Sequence, residues 1–402
     1  MPKTIAVIGA LDTKGQEFSF VKAAIEQRGH RTLVVNTGVV GKPLFEPDIT
    51  AAQVAEAGGT SLADLRQQAD RGTAIDVMTS GVAIIANELY SQGKIDGILG
   101  MGGSAGTVIA TSAMRELPVG FPKAMVTTLA AGDTTSYVGI KDIVLIPSVV
   151  DVAGVNRISA RIYANAVGAI VGMVETAVPE IEERPLIAAS MFGNTTELVD
   201  QCRAILDERG YETLVFHATG TGGRTMESLI ADGYFAGVLD VTTTEWADEL
   251  LGGVLSAGPE RLDAAAKQGL PQVIAPGCVD MANFWAPDTI PDKYKDRKFY
   301  LWNPNISLMR TTPAENAQLG RILAEKANQS TGPVAFFLPQ KGVSILDSPG
   351  GEFWWPEANE ALFAAIKENV RDDIPVIELD NNINDEAFAR AVTEQLLAFL
   401  VP

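Results

Sequence analysis

A glycine-rich run at residues 100–107, Gly-Met-Gly-Gly-Ser-Ala-Gly-Thr, lies between a strand-like segment at 95–99 and a helix-like segment at 108–114. Glycine permits positive φ angles and close backbone approach, so several N–H groups and a helix N-terminus can converge on one phosphate. The spacing fits neither a Walker A loop, which needs a lysine after the last glycine, nor the dinucleotide fingerprint. The run therefore predicts an anion site, and the alternative is a tight turn with a helix cap. Its candidate ligand-binding residues are Gly102, Gly103, Ser104, Ala105, Gly106 and Thr107.

The turn after the first predicted strand carries three polar residues, Asp12, Thr13 and Lys14. In a parallel sheet this turn opens on the same edge as the glycine-rich run, and ligands bind at that edge. Lys14 could supply the cation that a Walker lysine brings, Thr13 a hydroxyl, and Asp12 either a Mg²⁺ ligand or a hydrogen bond. The alternative is that Asp12 caps a helix and Lys14 is solvated.

Two further strand ends carry polar residues that could contact a nucleotide. Asn36 and Thr37 end the second strand, where related folds contact ribose or base. The acidic residue that an NAD site requires is missing there, which argues against a dehydrogenase. Thr127 and Thr128 end a later strand and are expected at the same edge.

Three residues in later loops have two interpretations each. Asp133 is a second candidate for holding Mg²⁺ and a candidate catalytic residue, together with Asp12 and Lys14. Asp151 and Asn156 precede the long helix predicted at 152–177, and they either cap it or face the nucleotide.

Two turns in the second half of the chain carry polar residues. The segment 217–224 begins with His217, is rich in glycine and ends in Arg224, so it could take another anion; the alternative is a flexible connection. Lys341 and Ser344 follow an apolar strand, and with nearby carboxylates they would suit a substrate acid or phosphate, which makes Lys341 a candidate catalytic residue. The chain has only two histidines, which argues against a His-dependent triad.

The chain repeats itself at an offset of 181 residues, because segment 28–35 matches segment 209–216. Each half opens with a β-α-β unit whose strands are apolar without alternation, which indicates a parallel sheet covered on both faces. The predicted fold is α/β, with two tandem Rossmann-like parallel-sheet domains related by internal duplication and a cleft between them. We place the N-terminal, nucleotide-binding domain at 1–180 and the C-terminal domain, which would take a second ligand, at 181–402. The acidic, proline-bearing segment 178–185 is the predicted linker.

The composition excludes some classes of protein. The 402 residues are 47% hydrophobic and 20% charged, with a formal net charge of −19, which argues against nucleic-acid binding. The most apolar helical stretch, 162–174, is too short to span a membrane, and the chain enters a strand without a secretory leader. Its two cysteines are far apart, so no disulfide framework is expected and a cytoplasmic location fits.

Four segments together resemble the ATP-binding domain family of the plant tobamovirus-resistance protein, which inhibits viral RNA replication, and its bacterial relatives. They are residues 9–14, 102–107, 148–156 and 341–344. The resemblance covers nearly the whole chain and implies two Rossmann-like subdomains, ATP bound by the first, and self-association, hence a homodimer. Ala105 stands where the plant family is expected to carry a further glycine. The plant protein's additional C-terminal region is missing here, so antiviral activity is not implied.

Three hypotheses follow. The first is an ATP-dependent enzyme that uses ATP, with Mg²⁺ if a carboxylate holds it, to act on a small acidic or phosphorylated metabolite by phosphoryl transfer or hydrolysis. The second is a nucleotide-responsive binding module without turnover of its own. The third is a sugar- or acid-binding protein whose glycine-rich run serves another anion.

Overall fold

The computed structural model describes residues 1–179 and 181–401. The chain divides into two compact units between residues 180 and 181. The first unit contains, in chain order, β1 Thr4–Gly9, α1 Gly15–Glu26, β2 Arg31–Asn36, α2 Ala51–Ala57, α3 Leu62–Gln68, α4 Arg71–Ser91, β3 Gly97–Gly102, α5 Ser104–Glu116, β4 Lys123–Thr127, α6 Thr135–Val138, β5 Val144–Pro147 and α7 Ser159–Glu175.

The second unit is larger and begins with β6 after the predicted linker. Its elements are β6 Leu186–Met191, α8 Thr196–Glu208, β7 Glu212–His217, α9 Thr221–Ala231, β8 Gly237–Asp240, α10 Glu245–Leu251, α11 Asp263–Gln268, β9 Gln272–Ile274, β10 Met281–Phe284, β11 Phe299–Asn303, β12 Ile306–Arg310, α12 Pro313–Ala327, β13 Val334–Pro339, α13 Pro356–Asn369, β14 Val376–Leu379 and α14 Glu386–Leu400. A 3₁₀ turn at Gly193–Thr195 precedes α8.

The first sheet is parallel throughout, in the order β2-β1-β3-β4-β5. One face packs on α1 and α7 through side chains such as Phe18 and Val167, and the other packs on α2, α4 and α5 through Val54, Met78 and Ile109. Because both faces are covered, the strands are apolar without alternation. Chain order reverses between β1 and β3, and this switch point is where doubly wound sheets bind ligands.

The second parallel sheet has the order β7-β6-β8-β9-β13-β14, which repeats the first and adds a strand. Helices α8 and α14 cover one face, where Cys202, Phe388 and Val392 pack. The duplication extends to backbone angles: Lys14, the N-cap of α1, has φ −129° and ψ 26°, and Thr195, the N-cap of α8, has φ −130° and ψ 17°. The predicted α/β fold of two tandem parallel-sheet domains is confirmed.

Two parts of the sequence-based prediction are wrong. The second unit contains a three-stranded antiparallel sheet, β10-β12-β11, that was not predicted, because its strands are short and have mixed polarity. The helix predicted at 152–177 begins only at Ser159, because Gly154 takes a φ of +81°. The Asn156 side chain accepts hydrogen bonds from the N–H groups of Ile158 (2.9 Å) and Ser159 (3.0 Å), so Asn156 caps this helix.

Candidate functional site

A cleft of about 510 Å³ opens at the carboxyl edge of the first sheet, at the switch point between β1 and β3. Its walls come from the turn after β1, the first turn of α5, the segment after β4, the start of α4 and the loop before α7. The lining residues are Ala10, Thr13, Lys14, Arg71, Met101, Gly103, Ser104, Ala105, Gly106, Thr128, Leu129 and Asp151. The cleft is therefore where the fold predicts a ligand.

Seven of the thirteen predicted nucleotide-binding residues line this cleft. The structure brings together Thr13, Lys14, Gly103, Ser104, Ala105, Gly106 and Thr128. Other candidates in the same unit lie outside the lining: Asp12, Asn36, Thr37, Gly102, Thr107, Thr127 and Asp133.

The sequence suggested that the glycine-rich run is a loop with positive φ angles, but the structure shows no such loop. Strand β3 continues to Gly102 and α5 begins at Ser104, and none of the four glycines of this run has a positive φ. Their role is close packing: a Cβ on Gly100 would lie 2.5 Å from the Ala110 Cβ, and one on Gly102 would lie 2.9 Å from the Gly106 Cα. The small residues therefore let α5 start directly against the strand end.

The first turn of α5 has no side-chain cap. Its N-cap is Gly103, at φ −82° and ψ −155°, and no side-chain cap bond forms there. The first N–H groups of a helix have no partner within the helix. Because Gly103 to Gly106 line the cleft, these donors are available to an acceptor bound in it.

Two more helices begin at the same cleft. Helix α1 starts after Lys14 and also lacks a side-chain cap, and α4 starts at Arg71. The first residues of α4 and α5, Arg71 and Ser104, line the same cleft, and the two helices are in contact through the Ser112 hydroxyl, which donates to the Thr79 carbonyl at 3.0 Å. A helix N-terminus carries about half a positive charge. The Asp70 carboxylate caps α4 by accepting from the Thr73 N–H at 2.7 Å, so the uncapped helix ends that favour an anion in the cleft are those of α1 and α5.

The charged side chains of the cleft add to this potential. The Lys14 ammonium donates to the Val152 carbonyl, which holds it at the wall. Arg71 forms no hydrogen bond or ion pair within the described ranges, 1–179 and 181–401. Asp151 is the one carboxylate among the lining residues. Two cations against one anion, in a chain of net charge −19, suit an anionic ligand.

Asp12 and Asn36 have structural roles. One Asp12 carboxylate oxygen accepts from the N–H groups of Val40 and Gly41, both at 2.9 Å. The Asn36 side-chain oxygen accepts from the Leu11 N–H at 3.0 Å, and also from that of Gly38. These bonds tie the segment after β2 to the turn that carries Lys14, so both residues shape the cleft without lining it.

The other predicted residues of this unit are also used by the fold. Thr107 and Thr127 are buried, and their hydroxyl oxygens lie 2.6 Å apart. Thr37 is buried, and its N–H donates to the Gly9 carbonyl. The exposed Asp133 accepts from the Thr135 N–H at 3.0 Å, and this bond holds the pKa of its carboxyl below the ordinary value. Within residues 1–179 and 181–401, no group of three or more His, Cys, Asp or Glu side chains could hold a metal ion.

Arg71, which lines the cleft, was not among the residues predicted from the sequence. Its signal was a cation in the first turn of a helix, where the helix dipole disfavours positive charge unless an anion is present. The alternatives for Asp151 and Asn156 are resolved separately, since Asn156 caps α7 whereas Asp151 lines the cleft.

The second glycine-rich turn already has an anion from the chain itself. Gly220, at φ +80°, and Gly223 donate their N–H groups to the same Glu245 carboxylate oxygen, at 2.7 and 3.1 Å. The other Glu245 oxygen accepts from Arg261 at 2.7 Å. Arg224 donates instead to the Ser256 carbonyl at 3.2 Å. The predicted external anion site at 217–224 is therefore wrong.

Lys341 and Ser344 belong to the same turn, but their side chains lie in different environments. The Lys341 ammonium pairs with the exposed Asp380 carboxylate at 2.9 Å. The Ser344 hydroxyl is buried and donates to Asp280 at 2.9 Å. These two side chains therefore do not form one site.

A second groove, of about 500 Å³, lies between α2 and α4 and has different chemistry. Its charged residues are Glu56, Glu88 and Lys94, and the one first-turn residue in its lining, Gln53, belongs to the capping box of α2. It offers no cradle for a phosphate. Among the helices of the described residues, none has the length and apolarity needed to cross a membrane.

Comparison with known proteins gives the family. Residues 3–179 match the N-terminal domain, and residues 184–400 the C-terminal domain, of the uncharacterised protein family UPF0261. A UPF0261 protein of Clostridium tetani is 50% identical over 399 residues, 99% of each chain, and one of Rhizobium meliloti is 45% identical over 97% of each.

A plant protein matches over part of its length. The ToMV resistance protein Tm-1 of Solanum lycopersicum is 41% identical over 337 residues, which are 81% of this chain and 44% of the tomato protein. A solved UDP-N-acetylglucosamine 2-epimerase from Rickettsia bellii aligns over 100% of this chain and 96% of its own, but at 11% identity and a TM-score of 0.24 it supports no argument. Over both of its domains, the chain belongs to the UPF0261 family.

Proposed function

We propose that the first unit binds ATP and that the chain is an ATP-dependent enzyme acting on a small metabolite. The observation that carries this proposal is the uncapped first turn of α5, which opens into the cleft beside Lys14 and Arg71. A volume of about 510 Å³ lies within the range of small-molecule sites. Phosphate groups are among the anions that uncapped helix N-termini and nearby cations bind.

In this proposal the α5 backbone holds one phosphate group, and Lys14 and Arg71 neutralise the others. Thr13 and Thr128 supply hydroxyl donors at the cleft wall. Phosphoryl transfer needs mainly positioning and charge neutralisation, so this set could support it without a histidine. If Mg²⁺ takes part, Asp151 is the carboxylate placed to help hold it.

A second candidate function is a nucleotide-responsive module without turnover. The observation that favours it is the single carboxylate in the cleft, since metal-assisted phosphoryl transfer commonly uses more than one metal-holding group. Asp12 and Asp133, the other carboxylates considered for Mg²⁺, lie outside the lining.

The test is calorimetric titration with ATP and Mg²⁺, with AMP and NAD as controls, followed by an assay for released phosphate. The variant Gly103→Leu places a bulky side chain in the cleft, and we expect it to abolish ATP binding. Gly103→Ala is the matched control, because its Cβ would meet no atom closer than the Thr128 hydroxyl oxygen at 3.9 Å.

Binding with phosphate release supports the enzyme, and binding without release supports the module. No binding by the wild-type protein, or undiminished binding by Gly103→Leu, refutes the proposed site.

A further inference from the structure

The second sheet carries buried polar side chains at the same switch point that forms the cleft in the first unit. Thr195 has the backbone angles of Lys14, and Asn194 corresponds to Thr13 at the 181-residue offset. Strand β8 pairs with β6 as β3 pairs with β1, and Thr242 follows β8. The hydroxyl oxygens of Thr195 and Thr242 lie 2.8 Å apart. The duplicated fold therefore repeats the ligand position with different side chains.

The ends of β9 and β13 contribute three more residues to this position. Cys278 and Asp280 follow β9, and Ser344 follows β13. The Cys278 thiol lies beside the Thr195 side chain, and the Ser344 hydroxyl donates to one Asp280 carboxylate oxygen at 2.9 Å. These six residues, here called the polar ring, are Asn194, Thr195, Thr242, Cys278, Asp280 and Ser344. All are buried, with at most 1% exposure.

Two acceptors of the polar ring have no donor. The side-chain oxygen of Asn194 and the second carboxylate oxygen of Asp280 are buried, and neither accepts a hydrogen bond from any residue that the structure describes. The Asn194 amide nitrogen contacts the Met281 sulfur at 3.8 Å. Buried polar atoms in folded proteins are nearly always paired. Two orphans within one ring therefore indicate that a donor from outside the chain completes it.

The charge of this region is opposite to that of the first cleft. Asp280 lies near a second buried carboxylate, Asp347, and one buried guanidinium, Arg310, faces both. Arg310 donates to the Phe353 carbonyl (2.8 Å), to Asp347 (3.3 Å) and to the Asp280 carbonyl rather than its carboxylate. Burial and the Asp347 charge raise the pKa of Asp280 above its ordinary value. An anion is disfavoured here, whereas a hydrogen-bond donor is favoured.

We propose that the polar ring is a second ligand site, for a small uncharged or cationic molecule that donates hydrogen bonds, of the polyol or primary-amine type. This site does not depend on ATP binding by the first unit. It replaces the acidic or phosphorylated second ligand expected from the sequence, because the cations that such a ligand needs are missing from the ring.

The first test uses the two cysteines of the wild-type chain. Cys278 belongs to the ring, whereas Cys202 is buried on α8, away from it, and reports global opening. The rate of iodoacetamide alkylation at each thiol is measured by peptide mass spectrometry with ribose, ethanolamine or malonate present. We expect ribose or ethanolamine to slow alkylation of Cys278 at least fivefold without changing the rate at Cys202.

Protection by ribose identifies the polyol type, and protection by ethanolamine the amine type. In Asn194→Ala, which removes one orphan acceptor, this protection should be lost. If neither ribose nor ethanolamine changes the alkylation rate at Cys278, or if malonate protects it, the proposal is overturned.

The second test needs no ligand. Asp280→Asn keeps an oxygen for the Ser344 hydroxyl and removes a buried charge. If Asp280 serves a ligand, this variant melts at or above the wild-type temperature at pH 8. A fall of more than roughly 5 °C would show that the carboxylate is there to stabilise the fold, and would overturn the proposal.

Discussion

Replacing Gly103 should change stability and ATP affinity in opposite directions. Gly103 is the uncapped N-cap of α5, and its extended backbone is one that serine also adopts. Its Cβ position is open, with the nearest atom 3.9 Å away. Serine there would accept a hydrogen bond from the first-turn N–H groups of α5. That bond occupies the donors that the proposed phosphate uses.

The size of the effect follows from N-cap energetics. Serine at an N-cap is more stabilising than alanine by about 1 kcal/mol, and glycine lies between them. In a unit of this size, 1 kcal/mol moves the melting temperature by about 2–4 °C. The stability order should therefore be serine, glycine, alanine. Losing one hydrogen bond to a charged phosphate weakens binding by about 1.5–3 kcal/mol, or at least roughly tenfold.

The assay is thermal unfolding of the two variants and the wild type, followed by titration of each with ATP. Gly103→Ala leaves the N–H groups free, so its ATP affinity should stay within about threefold of the wild type. Gly103→Ser should melt highest and bind ATP most weakly. If Gly103→Ser bound ATP as tightly as Gly103→Ala, the α5 turn would not hold the phosphate.

Three further predictions concern charged residues. Arg71→Ala should lower the affinity for ATP about tenfold and leave that for AMP nearly unchanged by calorimetry, whereas Arg31→Ala, at the opposite edge of the sheet, should change neither. Burial raises the pKa of Asp248 to about 7, so the protonated carboxyl stabilises the folded state below about pH 4, and this stabilisation is lost as the pH rises through 7. The resulting fall in the free energy of unfolding, measured with urea, spans up to about 4 kcal/mol, and Asp248→Asn should flatten it. Glu245→Ala removes an acceptor of Arg261 and of two glycine N–H groups, and should cost about 3–5 kcal/mol in the same assay, with Glu245→Gln, which keeps an acceptor oxygen, less affected; a Glu245→Gln variant as stable as the wild type would contradict the ionic role of this carboxylate.

The fold could be predicted from sequence because strand and helix patterns are local. Apolar segments without alternation, each followed by a helix, indicate parallel strands covered on both faces. The repeat at 181 residues predicted two such sheets, and the structure has them. The antiparallel sheet β10-β12-β11 escaped prediction because its strands are short and have mixed polarity, and because Tyr300 and Leu301 are held in β11 by pairing with β12.

The sequence could predict only those site residues that come directly after a strand end. Thr13, Lys14 and residues 103–106 line the cleft because they follow strand ends. Arg71 arrives from a helix that packs beside α5, and no local pattern shows that packing. Asp12 and Asn36 have the right residue types at strand ends, but their side chains bond to backbone N–H groups that the sequence does not display.

The Glu245 carboxylate determines whether a dissolved anion can bind at the start of α9. Because it is tethered to the same chain, its effective concentration at the Gly220 and Gly223 N–H groups is of millimolar order or higher. A dissolved anion must compete with this permanent internal occupant, which also has Arg261 behind it. The start of α9 is therefore insensitive to the phosphate level of its surroundings, whereas the first turn of α5, which has no side-chain cap, keeps its N–H groups open to a dissolved anion.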